Sequence, residues 1–333
     1  MMNPVGPSEK KNPDVSVLIV NYNGLRFLDE CLESIRTAFS RYSYEVVVVD
    51  NASSDGSQAF LQARSDIRYI ESLENTGFTG GNNLAARSAR GKVLLLLNND
   101  TRIERQLDSL IDQALAEQVG AAGSRLVYSD GRTQFSVGFH HRPIRLVLSW
   151  LGLEKKHRLP SIFRRMETDP AYYEQSHTSV DWVSGACLAT RREIWERLGG
   201  FDEAFFMYCE DVDYCLRIRN AGFGIAFVAE TLVIHYEGAG RPWIGKAALQ
   251  RTGRSYSIYL AKHHNALVAR AASLGLAAVF YMRAAALCAV SLSTSANQQK
   301  RQVINDKVKA FLVVGWQFAR QTLLGVSAAS DKI

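Results

Sequence analysis

The sequence predicts an α/β fold, an open sheet flanked by helices, with a helical region behind it. Three observations carry this expectation. Short apolar runs alternate with helical periodicity through the first third of the chain, a βαβαβ rhythm. Val46 to Val49 is an unbroken run of valine, the pattern of a strand covered on both faces, as in a parallel sheet. From Ala247 the chain turns alanine-rich, basic and helical in pattern.

Each element follows from its own pattern. Val15 to Val20 reads as a buried strand. Leu25, Leu28, Leu32 and Ile35 recur at steps of three and four residues, one face of a helix. A short helix over Gln58 to Arg64 and a weaker strand over Ile67 to Ile70 follow. Asn82 to Arg90 reads as a helix opening from a glycine-rich loop, and Val93 to Leu97 as another buried strand. Leu107 to Ala116 fits a helix and Ala121 to Val127 a strand. The stretch from Ser129 to Ser179, with basic residues at Lys155 to Arg158, reads as long loops with short helices. Open α/β sheets bind ligands beyond the carboxyl ends of their strands, so those ends hold the candidate site residues.

The organisation expected is a flexible tail over residues 1–14, a catalytic-type domain over 15–240 and a helical region over 241–333. Ala266 to Ser291 is strongly apolar but carries Arg270 and Arg283. An arginine near the centre of a spanning helix costs roughly 2.5 kcal/mol or more, so a packed or membrane-surface helix is the better reading. Phe311 to Val326, with Trp316, Phe318 and Arg320, is a second amphipathic candidate. Packing against the domain or a partner subunit, as in a homodimer, explains the same two helices.

Composition narrows the class. The chain has 333 residues, 47% hydrophobic and 22% charged, which suits a folded protein and excludes disorder as its overall state. A net charge of +6 suits an anionic partner or simply solubility. No RNA-binding or zinc-finger pattern supports nucleic acid. Five cysteines without a CxxC pair argue against a disulfide framework or zinc cluster and fit a reducing compartment. Met1 to Asp14 has no apolar stretch of signal-peptide type.

The candidate residues lie at strand ends. Asp50, followed by Asn51, can accept from the imide N–H of a pyrimidine base, or can simply close an Asx turn. Asn75 to Asn83 offers backbone N–H groups and a helix N-terminus to a phosphate, although it matches neither the dinucleotide nor the Walker loop. Leu97 runs into Asn98, Asn99 and Asp100, oxygen ligands of the kind a divalent cation bound to a diphosphate needs; a helix N-cap reads the same way. Glu210, Asp211 and Asp213 crowd like charges, which raises the pKa of at least one and favours a base, or they are the first turn of a helix. His235 ends an apolar run and can ligate an ion of the Mn²⁺ type.

The order of these motifs is more specific than any one of them. Val17 to Asn23, Val47 to Asn51, Asn75 to Phe78, Leu97 to Asp100, Glu210 to Asp213 and His235 together resemble family 2 glycosyltransferases, in particular a bacterial rhamnosyltransferase-like branch. The resemblance covers about Val15 to Gly240. It implies a GT-A fold, a Rossmann-like nucleotide-binding mixed sheet flanked by helices, and inversion at the anomeric carbon. It implies that Asn21, Asn23, Asp50, Asn51, Gly80, Asn82 and Asn99 lie around the nucleotide. Asp100 and His235 would hold a divalent metal, Mn²⁺ or Mg²⁺. Asp211 would be the catalytic base, with Trp182, Gly185 and Glu210 facing the acceptor. The family's usual DxD motif reads here Asn98-Asn99-Asp100, one carboxylate fewer.

The implied partners are a nucleotide-sugar donor, first dTDP-L-rhamnose and second a UDP-sugar, and a glycan or lipid-linked acceptor. The expected location is cytoplasmic, peripheral on the cytoplasmic face of the inner membrane. Two other readings compete. A nucleotidyltransferase would want a basic phosphate loop where this chain has Asn21-Tyr22-Asn23-Gly24. A non-catalytic carbohydrate-binding protein with a decayed site would explain the amide at Asn98.

Overall fold

A computed structural model of the chain describes residues 12–153, 159–236, 245–293 and 298–324. Most of the expected N-terminal tail, and the basic stretch Lys155 to Arg158, lie outside the described residues. The chain divides into two compact units: Met1–His140, Met166–Phe206 and Glu210–Ala239 form the first, and His141–Arg165, Met207–Cys209 and Gly240–Ile333 the second.

The first unit is a mixed sheet flanked by helices. Strand β1 (Val15–Asn21) leads through helix α1 (Leu25–Ile35) to β2 (Tyr44–Asp50), then α2 (Ser57–Gln62), β3 (Arg68–Glu71), α3 (Gly77–Ser88) and β4 (Val93–Leu97). These four strands are parallel, in the order β3-β2-β1-β4. β5 (Thr101–Ile103), α4 (Asp108–Leu115), β6 (Val119–Val127) and the short β7 (Thr133–Gln134) and β8 (Val137–Gly138) follow. β9 (Trp182–Val183), β10 (Cys187–Arg191), α6 (Arg192–Leu198), α7 (Glu210–Asn220) and β11 (Gly224–His235) complete the unit. The sheet continues β4-β10-β6-β11-β5, with β10 antiparallel to both its neighbours and β11 parallel to β6.

The hydrophobic pattern accounts for this layering. Every residue of β2 is buried, and each fully buried valine there contributes roughly 1.5–3 kcal/mol. Helix α1 buries Leu28, Cys31, Leu32 and Ile35; Cys31 takes the inward place expected for Leu25. Burial pushes the thiols of Cys31, Cys187 and Cys215 up to about 12, so they act as small hydrophobes. All five cysteines are free thiols.

In the first unit one boundary differs from expectation by more than two residues. Helix α3 begins at Gly77, not Asn82, so the glycine-rich segment is its first two turns. Glycine disfavours helix in isolation, but tertiary packing overrides that preference here. A Cβ on Gly81 would stand 2.5 Å from Val20 Cγ1, so the helix lies directly against β1.

The second unit holds α5 (Pro143–Trp150), a 3-10 turn at Ser161–Phe163, and the long helices α8 (Gly245–His263), α9 (Ala266–Ser293) and α10 (Gln298–Leu324). Phe280 of α9 packs on Trp150, Phe311 and Phe318. Arg283, the charge inside the apolar stretch, donates to the Trp150 carbonyl at 2.6 Å and lies over the Phe311 ring. Among the described residues α9 alone is long and apolar enough to cross a membrane.

Candidate active site

The β1–β2 register sets Asn21 beside Asp50. Asn21 Nδ2 donates to Asp50 Oδ2 at 2.8 Å and to Ser53 Oγ at 3.1 Å, while Asp50 Oδ1 accepts the Ser53 N–H at 2.9 Å. Asp50 is thus fully buried with both oxygens engaged, one of them by the backbone N–H three residues on, and it does not cap α2, whose N-cap is Gly56. Its carboxylate ties the ends of two strands together, one hydrogen bond on each oxygen. Asn23, at φ 52°, accepts the Ser54 N–H at 2.8 Å, and Asn99 Nδ2 reaches Asn21 Oδ1 at 2.7 Å. Gly24 permits that approach, since a Cβ there would meet Asn99 Nδ2 at 2.0 Å.

Asn51 connects this cluster to α3. Its Nδ2 donates to the Gly77 carbonyl at 2.8 Å and its Oδ1 accepts from Thr76 Oγ1 at 3.0 Å. Gly80 and Asn82 were expected around the nucleotide, Gly80 on the loop and Asn82 at the start of the helix. They lie inside the helix, where Asn82 is buried and donates to Phe78 O of its own helix. Asn83, which the sequence did not single out, clamps the Phe201 backbone through both amide atoms, at 2.9 and 3.0 Å.

The exit of β4 carries the candidate metal residues. The Thr101 hydroxyl donates to Asn98 O at 2.6 Å, closing a turn into β5. A strand follows, so the helix N-cap alternative falls away. His235, opposite Thr101 on β11, places Nε2 3.2 Å from Asp100 Oδ1 and 3.0 Å from Asn98 Nδ2. Its Nδ1 lies 2.8 Å from Gln134 Oε1, a partner the sequence gave no sign of. Asn98 Oδ1 is buried without a hydrogen-bond partner. A carboxylate and an imidazole nitrogen converging beside an unsatisfied oxygen suit a cation of the Mn²⁺ or Mg²⁺ type. Among the described residues no three His, Cys, Asp or Glu side chains converge, which leaves coordination positions for a ligand's own oxygens.

The three acidic residues of α7 have separate fates. Asp213 is fully buried and pairs with Arg217 Nε at 2.7 Å, and Arg217 also donates to Leu198 O and Gly200 O. Burial, and next the Asp211 charge, hold Glu210 well above the usual carboxylate range, which favours its protonated form. Asp211 is partly exposed, and its carboxylate accepts the Gly185 N–H at 3.1 Å and the Val212 N–H at 2.8 Å. Just before α7, Tyr208 and Cys209 both have positive φ, 73° and 68°, a strained backbone of the kind that gathers at functional sites. Trp182 and Glu210, expected to face the acceptor, are buried, and Trp182 Nε1 donates to Phe139 O at 3.1 Å.

One turn joins the candidate base to the candidate metal residues. Gly185 N–H holds Asp211, and the next residue, Ala186, accepts the Asn98 N–H at 3.0 Å. Asn98 in turn touches His235, which faces Asp100.

Comparison with known proteins agrees with this architecture. Residues 16–199 match the glycosyl transferase family 2 model, and the chain belongs to that family. It is 31% identical over 245 residues to the O-antigen biosynthesis protein RfbC of Myxococcus xanthus, across 69% of this chain but only 18% of RfbC. It is 29% identical over 266 residues to the N-acetylglucosaminyl-diphospho-decaprenol L-rhamnosyltransferase of Mycobacterium tuberculosis, across 74% of this chain and 80% of that protein. The mannosyltransferase PcManGT of Pyrobaculum calidifontis, solved with GDP-Man and Mn²⁺, superposes with a TM-score of 0.52 at 20% identity, over 97% of this chain and 90% of that one. The fold is GT-A.

Proposed function

We propose that the protein is an inverting glycosyltransferase of cell-surface polysaccharide synthesis. It moves a sugar from a nucleoside diphosphate to a hydroxyl of a glycan or lipid-linked acceptor. The observation that carries this reading is the turn at Gly185 and Ala186, which ties Asp211 to the Asn98–Asp100–His235 cluster. Asp211 accepts the acceptor's hydroxyl proton while that oxygen attacks the anomeric carbon. The bond from that carbon to the diphosphate oxygen breaks on the opposite face, and the nucleoside diphosphate departs. Asp100 and His235 would hold a divalent cation, which supplies positive charge to the departing diphosphate.

The donor we propose is dTDP-L-rhamnose, with a UDP-sugar second. The mycobacterial relative is named for rhamnosyl transfer to a lipid-linked sugar, which supports both donor and acceptor class. The test is transfer by the purified full chain from dTDP-L-rhamnose and from UDP-sugars to a polyprenyl-diphosphate sugar, with and without Mn²⁺. Donor-dependent rises in melting temperature would rank the nucleotides. Transfer from UDP-sugars alone would replace the donor, and neither binding nor transfer would favour a carbohydrate-binding protein.

We also propose that the helical unit rests on the cytoplasmic face of the inner membrane. The exposed positions of α9 from Ala271 to Val290, among them Leu274, Met282 and Val290, carry no charge. On α10, exposed Leu312, Trp316 and Leu323 alternate with Lys309 and Arg320, the mixture that suits an anionic lipid surface. Flotation with anionic vesicles should carry the wild type and leave Leu274→Glu/Trp316→Glu behind. If both stay behind and the wild type sediments as a dimer that the variant loses, the surface belongs to a second copy.

A further inference from the structure

Gln134 sits on β7, the short strand that pairs antiparallel with β6, Gln134 opposite Leu126. It is buried, and its Oε1 lies 2.8 Å from His235 Nδ1. The other ring nitrogen, Nε2, faces the Asn98 amide nitrogen at 3.0 Å and Asp100 Oδ1 at 3.2 Å. A neutral imidazole carries one N–H and one lone pair, and the partner of one nitrogen decides which is which.

An oxygen at Nδ1 demands the proton there. Nε2 then carries its one lone pair on the side where Asp100 Oδ1 lies, and a cation there would take that lone pair over from the Asn98 amide. The opposite tautomer puts an N–H on Nε2, which would donate to Asp100, confront the Asn98 amide nitrogen and remove the lone pair a cation needs. Gln134, with its amide oxygen turned to Nδ1, favours the first of these two states, and its amide cannot ionise, so it does so without adding charge.

We propose that Gln134 is a positioning residue that locks His235 in the Nδ1–H tautomer, aiming Nε2 beside Asp100 as a cation ligand. This rests on the reading that Asp100 and His235 hold the divalent cation. Outer partners of metal-ligating histidines act in this way, and their loss typically weakens metal affinity 10–100-fold.

The test has two independent readouts on the full-length chain. Long-range ¹H–¹⁵N correlation spectra of histidine-labelled protein without metal, assigned with His235→Asn, report the tautomer. Electron paramagnetic resonance of free Mn²⁺, without donor, reports affinity. The wild type should show Nδ1–H at His235. Gln134→Leu should mix or invert the tautomer and weaken Mn²⁺ binding about 10–100-fold, and Gln134→Glu, which can only accept, should restore both. An Nε2–H or doubly protonated ring in the wild type overturns the proposal without any variant having to fold. An unchanged tautomer in Gln134→Leu overturns it as well. An Nδ1–H ring in a wild type that binds no Mn²⁺ would instead sink the metal reading beneath it.

Discussion

Gly185 donates its backbone N–H to Asp211 at 3.1 Å, and it does so from the position directly before Ala186, whose carbonyl holds Asn98. Sequence separates these residues widely, and the antiparallel course of β10 beside β4 brings them together, with Cys187 opposite Leu97. The segment entering β10 therefore lies at the edge that β4 leaves. A backbone donor needs no particular side chain, so the link constrains geometry more than it constrains sequence.

The base assignment predicts a clean separation of binding from chemistry. Asp211→Asn keeps the size of the side chain and can still accept from one of the Gly185 and Val212 N–H groups, but it cannot take a proton. Transfer should fall on the order of 10²–10⁴-fold while the donor dissociation constant, measured by calorimetry, stays within a factor of two or so. Normal turnover in this variant would remove Asp211 from the chemistry.

Asn98 offers a gain-of-binding test. Its side chain lies 3.0 Å from His235 Nε2, and its Oδ1 is unsatisfied. Asn98→Asp would add a carboxylate to the cluster, and Mn²⁺ affinity should rise roughly tenfold or more, because affinity follows ligand charge. Calorimetric titration with Mn²⁺ would read this directly, and unchanged affinity would place the cation elsewhere.

Much of this arrangement was legible in the sequence, and the exceptions have physical causes. Val46 to Val49 and the spacing of Leu28, Leu32 and Ile35 announced a covered strand and an amphipathic helix, because burial writes periodicity into the chain. Asp100 and His235 were legible as chemistry placed after apolar runs. Gln134 was not, since a buried amide two strands away leaves no pattern. The glycine-rich turns of α3 were misread because propensity argues against a helix there, while the close approach to Val20 is visible only in three dimensions. Asp50 and Glu210 were legible by type, but their burial, and the raised pKa it gives Glu210, were not.

Glu210 predicts a pH dependence of stability. In the folded chain it keeps a proton that the unfolded chain releases above about pH 4.3. The folded state thus binds more protons, and the wild type loses stability as pH rises from there toward the raised folded value. Glu210→Gln mimics the protonated form and escapes this loss. The melting-temperature advantage of the variant should be small near pH 4.5 and grow toward pH 8; an advantage that is flat with pH would mean Glu210 is ionised in the fold.

The Asp213–Arg217 pair predicts a purely structural defect. Asp213 has no exposed side-chain surface, and Arg217 is also the donor that fixes Leu198 O and Gly200 O. Arg217→Met leaves a buried carboxylate without its partner and should cost about 3–5 kcal/mol in urea unfolding. Replacing both, Asp213→Leu with Arg217→Met, should recover part of that loss. Equal losses in the single and double variants would mean the backbone carbonyls, not the ion pair, carry the effect.

The pairing of β8 with β9 has a consequence of its own. Gly138 and Trp182 lie side by side, so everything encoded between them departs from one point and returns to the same point. Such a stretch is anchored between its ends as well: Trp150 packs on Phe280 and Tyr173 is fully buried, so residues traded with a homologue must bring those anchors with them. Change between those anchors leaves the entry to β10, and with it the Gly185 tether of Asp211, in place.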